Sequence, residues 1–176
     1  MKRLILVCAI LLLPLAAFSE VTKREKEACF LSPSYACVIT QALASAKTIE
    51  DADDRALALR EIAKAQAKAG DVKEAKETFV QAFASAKTIE DADIRAEALT
   101  DIATAQAKAG DVKAALATAK TIEDADDRAE ALADIATAQA KAGDVKEALA
   151  TAKTIENVYW RASALTDIAE ILFQIK

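Results

Sequence analysis

Between Asp124 and Glu156 the apolar positions fall into two runs. Ala129, Leu132, Ile135, Ala136 and the pair Gln139–Ala140 recur at intervals of three and four, and Val145, Ala148, Leu149, Ala152 and Ile155 do the same. Each spacing lays one apolar stripe along a helix and predicts two amphipathic helices. Gly143 separates them, preceded by Lys141 and Ala142, as at a helix C-terminus that takes a left-handed glycine and a nearby cation. Asp144 is the expected N-cap of the second helix, with Glu147 completing a capping box. Asp124, Asp126 and Asp127 turn the chain again and set negative charge at the first helix's N-terminus. The predicted unit is a helical hairpin with a very short turn.

The unit recurs. Lys-Thr-Ile-Glu begins at Lys47, Lys87, Lys120 and Lys153, spacings of 40, 33 and 33, and Ala-Gly-Asp recurs in step at Gly70, Gly110 and Gly143. A fixed period in this range predicts an all-α solenoid of stacked hairpins, each burying its apolar face against its neighbours. The core is mostly alanine, which lets helix axes approach to the lower end of the ~8–10 Å range.

Counted from Gly143, Leu132, Ile135, Ala136, Ala148, Ala152 and Ile155 occupy the large and small sites of the tetratricopeptide repeat, which the unit resembles. Leu59, Ile62, Ala63, Gly70 and Ala75 match in the same way, as do Leu99, Ile102, Ala103, Gly110 and Ala115. The departures are a 33-residue period against the family's 34, Gln139 for a tyrosine, Ala152 for an aromatic, and a missing closing proline. The resemblance implies a groove along the first helix of each hairpin that binds a peptide or protein segment.

Residues 84–116 and 117–149 differ only at Ser85/Thr118, Ile94/Asp127, Thr100/Ala133 and Ala114/Glu147. Copies so alike repeat whatever surface they present, so specific chemistry is sought where copies diverge. Arg60 and Lys64 stand where later units carry Thr100 and Thr104, or Ala133 and Thr137. By the resemblance these positions face the groove; Arg60 and Lys64 either bind a carboxylate there or form a solvated helix face. The first unit holds seven extra residues around Glu77 to Phe83, nearly two helical turns, which lengthen the helix after Gly70 without changing its buried side. Phe79 and Phe83 then either pack internally or form an aromatic ridge. Tyr159 and Trp160 replace acidic residues of the last turn, as a binding hot spot or as filling at the last unit. The final helix ends Ile171-Leu172-Phe173-Gln174-Ile175, apolar where other units are polar, and either caps the array or forms a seam between copies.

Lys2 and Arg3 precede an apolar run from Leu4 to Phe18, broken only by Pro14 and too short to span a bilayer, which needs ~20 residues. Ala17 and Ser19 supply the small residues of a signal-peptidase site. The expected division is a signal peptide over 1–19, N-terminal capping helices over 20–50 and the repeat array over 51–176, giving a periplasmic or secreted protein that starts near Glu20 and has no membrane contact after cleavage. In an oxidising compartment Cys29 and Cys37 pair as a disulfide, contributing roughly 2.5 kcal/mol by chain entropy, or else remain buried thiols.

Losing Lys2 and Arg3 takes the net charge from −5 to −7, with both signs interspersed. A nucleic-acid binder needs a basic stripe to displace counterions, and there is none. The chain has no histidine, its glycines all belong to hairpin turns, and Asp51-Ala52-Asp53-Asp54 lacks the glycine and distal glutamate of a calcium loop. No catalytic residue, cofactor or metal is expected. The reading is an exported protein–protein interaction module; the alternative is a self-associating structural element of the cell envelope, a homo-oligomer joined through the C-terminal helix.

Overall fold

The computed structural model describes Cys29 and residues 32–174. The expected signal peptide, and most of the N-terminal segment that follows it, lie outside these residues. The described residues are all-helical. The elements are α1 (Tyr35–Ala46), α2 (Ala52–Ala69), α3 (Val72–Ala86), α4 (Ala92–Lys108), α5 (Val112–Ala119), α6 (Ala125–Lys141), α7 (Val145–Lys153) and α8 (Val158–Gln174). None of the helices among the described residues is long and apolar enough to cross a membrane.

Two compact units divide the chain, residues 1–44 and residues 45–176. In the first, Cys29 is buried and bonded to Cys37 as a disulfide, with Cα atoms 5.8 Å apart, inside the range such a bond requires. The pairing is consistent with an oxidising compartment.

In the second unit α2–α3, α4–α5 and α6–α7 form hairpins. Each of the first helices α4 and α6 also packs on the preceding second helix and on the first helices to either side, and α8 packs on α6 and α7. The hairpin turns are set by glycine. Gly70, Gly110 and Gly143 have φ of 91°, 83° and 94°, a left-handed conformation that costs glycine little and other residues more. In each turn the glycine N–H donates to the carbonyl three residues back, and the following aspartate N–H to the carbonyl five residues back, as in Asp144 to Gln139 at 2.9 Å. This pair of bonds closes the last helical turn and satisfies carbonyls that would be left bare.

That geometry overturns the capping box expected at Asp144. Glu147 would need the Asp144 N–H, which Gln139 already holds, and Asp144, at ψ 53°, makes no side-chain cap bond. Of the hairpin-turn aspartates Asp111 alone caps among the described residues, accepting from the Ala114 amide at 3.3 Å; the closer caps lie between hairpins. Asp51, Asp91 and Asp124 sit in extended backbone and accept from the amides two and three residues on, at 2.8–3.1 Å.

The Lys-Thr-Ile-Glu phrase closes the preceding helix. The hydroxyl of Thr48, Thr88, Thr121 or Thr154 donates at 2.7 Å to the carbonyl three residues back. Ile89, Ile122 and Ile155 are buried beneath the corner. An arginine eight residues after each lysine then locks it. Nη1 of Arg55, Arg95, Arg128 and Arg161 donates to the isoleucine carbonyl at 2.7–2.8 Å and to the glutamate carbonyl at 2.9–3.3 Å. A guanidinium is suited to this, since it offers several donors in one rigid plane and favours the negative end of a helix.

Alanine carries the core. Ala136, Ala140, Ala148 and Ala152 are fully buried, with Ile155 and Ile168 in the same cluster and Leu132, Val145, Trp160 and Ile171 packed against it. Leu149, expected on the apolar stripe, is instead exposed. Its helix α7 packs on α6 and α8, and the contact is filled by Ala148 and Ala152. On α6 the burial is wider than one stripe, because Ala131 and Ala133 are buried as well. They lie on a helix flanked by α4 and α8 as well as by its own partner.

Candidate functional site

The helices α2, α4, α6 and α8 share one run of side-chain contacts, and most residues singled out from the sequence lie on it. Arg60, on α2, is ion-paired with Asp101 of α4 and donates from Nε to Glu61 at 3.1 Å. Lys64 is bound to Glu61 at 2.8 Å. Further along, Thr104 of α4 donates to Asp134 of α6 at 2.9 Å, and Thr137 of α6 to Asp167 of α8 at 3.1 Å. Thr100 is buried, and its hydroxyl reaches the Asp127 carbonyl at 3.2 Å. Arg60 therefore holds a carboxylate as expected, but an internal one. Thr104 and Thr137 are rungs between successive first helices, each joining its hydroxyl to the aspartate that occupies the same place in the next unit.

The other candidates part company. Tyr159 is 71% exposed, while Trp160 packs against the alanine cluster; their rings meet edge-on with centroids 5.2 Å apart. Asn157 holds both in place, accepting from their amides at 2.9 and 3.2 Å and donating to Asp126 at 2.8 Å. In the lengthened helix α3 Phe79 is buried, whereas Phe83 is half-buried with the Lys87 ammonium 5.7 Å above its ring. Of the two alternatives for this insert, internal packing holds at Phe79, and the pair does not form an exposed ridge.

The same face is acidic. Asp93, Glu97 and Asp101 follow one another along α4 at intervals of four, and Asp127, Glu130 and Asp134 follow along α6 at three and four. Burial first, then the charges of Asp124, Glu97, Asp93 and Asp126, raise the Asp127 carboxyl above the ordinary aspartate value. Burial again, then Asp134, Asp127 and Glu97, raise Glu130. Glu61 goes the other way: the hydrogen bond from Lys64 and the charges of Lys64 and Arg60 outweigh its partial burial and lower it. The like-charge crowding thus begins beyond the reach of Arg60. Among the described residues no group of three or more acidic or thiol side chains is arranged to hold a metal ion.

Between α2 and α4 the face opens into a cleft of about 260 Å3 whose lining includes Leu57, Arg60, Ile94 and Glu97. Neither this cleft nor the arginine locks were found from the sequence. The arginines carried a usable signal, since one recurs in register in every copy. The cleft's signal is subtler: Leu57 stands where Glu97 and Glu130 stand in later units, and Ile94 where Asp54 and Asp127 stand.

No family model matches the chain, and neither does any curated protein or solved structure.

Proposed function

We propose that residues 51–176 form an α-solenoid similar to the tetratricopeptide repeats, with a 33-residue period and a first unit extended by seven. It works as an exported, non-enzymatic interaction module that holds a peptide or protein segment along its first helices. The observation that carries this reading is the acidic run of Asp93, Glu97, Asp127 and Glu130 along the first helices, where burial first and the neighbouring carboxylates second raise Asp127 and Glu130. Self-repulsion of this kind works against the free protein, and a bound segment with positive charge relieves it. The likeness to the family supplies the direction in which to look; fold alone does not assign a task.

The test is a photo-reactive amino acid placed at Glu97, on this face, and separately at Val80, which is 65% exposed on the second helix α3. Cross-linked product in native cell extract is expected from the first position and not from the second. Equal products, or none at Glu97, would reject the reading.

A second reading is favoured by α8, where Tyr159, Leu165, Leu172 and Phe173 are exposed, Phe173 at 82%. A seam between copies would cover them and make the chain a self-associating structural element of the envelope. Sedimentation at tens of micromolar separates the two, since a strict monomer removes this option.

A further inference from the structure

The cleft between α2 and α4 differs in chemistry from the surface that follows it. Its apolar lining is Ala56, Leu57, Ile94, Ala98 and the buried Ile102, and Leu57 and Ile94 are 45% and 42% exposed although large and aliphatic. Both are departures from the acidic residue of the sister copies, and they fall on opposite helices of one cleft. Asp53 and Glu97 line the same cleft, and the acidic run along α6 begins beside it. Arg60 lines it too, but its charge is taken up by Asp101 and Glu61. The result is an apolar floor with unneutralised carboxylates at its edge. An aliphatic side chain would gain from the floor. A cation beside it would gain from the rim.

We propose that this cleft docks a protein segment carrying one aliphatic side chain flanked by lysine or arginine. The aliphatic group seats on Leu57, Ile94 and Ile102, and the flanking cation lies toward Asp53 and Glu97. The inference rests on the reading of the first-helix face as a binding surface, and it names the chemistry that surface selects. An acidic segment is repelled by the rim, and a purely basic one leaves the apolar floor wet.

The test uses fluorescently labelled synthetic peptides against the full chain: a single leucine flanked by lysines in a glycine–serine background, the same peptide with serine for leucine, and the same with glutamate for lysine. The leucine–lysine peptide is expected to bind and to weaken with salt. The other two should bind about tenfold more weakly or not at all. The double variant Leu57→Glu with Ile94→Asp installs residues that the sister copies already carry in folded surroundings, and it should lose about tenfold in affinity while keeping its helical circular dichroism. Should that variant lose its fold, methyl resonances of Leu57 and Ile94 in the parent chain decide, since docking must shift them. Equal binding by the serine–lysine peptide, equal binding by the folded variant, unmoved Leu57 and Ile94 methyls, or no binding of the leucine–lysine peptide each overturns the cleft assignment. If cross-linking at Glu97 still succeeds in those cases, the face binds a partner of other chemistry; if both fail, the broader reading falls as well.

Discussion

The hairpins α4–α5 and α6–α7 are nearly the same sequence, and their differences are instructive because so little else varies. Each has its left-handed glycine, its arginine lock and its buried alanine pair, Ala115 and Ala119 in one, Ala148 and Ala152 in the other. Yet Ile94 in the first lines an apolar cleft, while Asp127 in the second is raised by burial and, after it, by the carboxylates around it. Their interiors differ at two places: the buried Thr100, which reaches the Asp127 carbonyl, is Ala133 in the second hairpin, and the glutamines are bonded differently. Gln106 Oε1 accepts from the Thr118 hydroxyl at 2.8 Å, whereas Gln139 Oε1 is buried without a partner. The scaffold is thus held constant by a few atoms per unit, and surface chemistry changes freely around it.

Four experiments would break or sharpen that comparison. Ala115→Leu and Ala148→Leu both force bulk into a fully buried alanine site and should each cost about 3 kcal/mol. Chemical denaturation that left either variant as stable as the parent would show the helix contact to be looser than described. Arg95→Ala and Arg128→Ala remove matched locks and should lose about 2 kcal/mol apiece. Loss at one alone would mean the corners are not equivalent.

The glutamines should then separate the two hairpins. Gln106→Leu leaves Thr118 unpaired in the core, at a cost of about 1 kcal/mol. Gln139→Leu removes a buried oxygen that has no partner, and should leave stability unchanged or raise it. Melting curves giving the same sign for both would remove this contrast.

The smallest effect is one of pH. Glu130 is raised in the folded chain, so the native state takes up its proton before the unfolded one does. Stability from this group therefore falls as pH rises from the ordinary value of 4.5 through the folded value, and returns on acidification. Glu130→Gln should raise the melting temperature at neutral pH by about 1 °C, with the gain vanishing in acid. Glu61 carries the opposite sign: lowered in the fold, it stabilises above 4.5, and that contribution is lost as pH falls through its folded value. Glu61→Gln should be destabilising at neutral pH.

Much of the second unit was legible in the sequence because its signals are local. Glycine needs no neighbours to take φ near 90°, and an aspartate in extended backbone caps the helix that follows it. The stripe Ala129, Leu132, Ile135 and Ala136 was legible for the same reason. Its second face, at Ala131 and Ala133, was not, since alanine's small side chain suits an exposed helix surface as well as a buried one. Glu147 misled because a capping box depends on an amide whose partner, the Gln139 carbonyl, belongs to the previous helix. The functional candidates fared differently. Arg60, Thr104 and Thr137 stood out as polar groups on a shared face, and so they are, but whether such a group meets solvent or the next helix depends on packing between units. Leu57 and Ile94, at different places in the repeat yet meeting at one cleft, become visible only when the copies are laid side by side.

The corner between hairpins has a kinetic meaning. From Ser85 to Arg95 the threonine hydroxyl, the aspartate cap and the two Nη1 bonds of the arginine reach no more than six positions along the chain, while Arg95 Nη2 also lies 3.9 Å from Glu123. Closing so small a loop takes about 10–100 ns, far faster than assembling distant strands. Bends of this sort can therefore exist while the nascent polypeptide is still emerging, so that each arriving helix finds the angle at which to lie down already set.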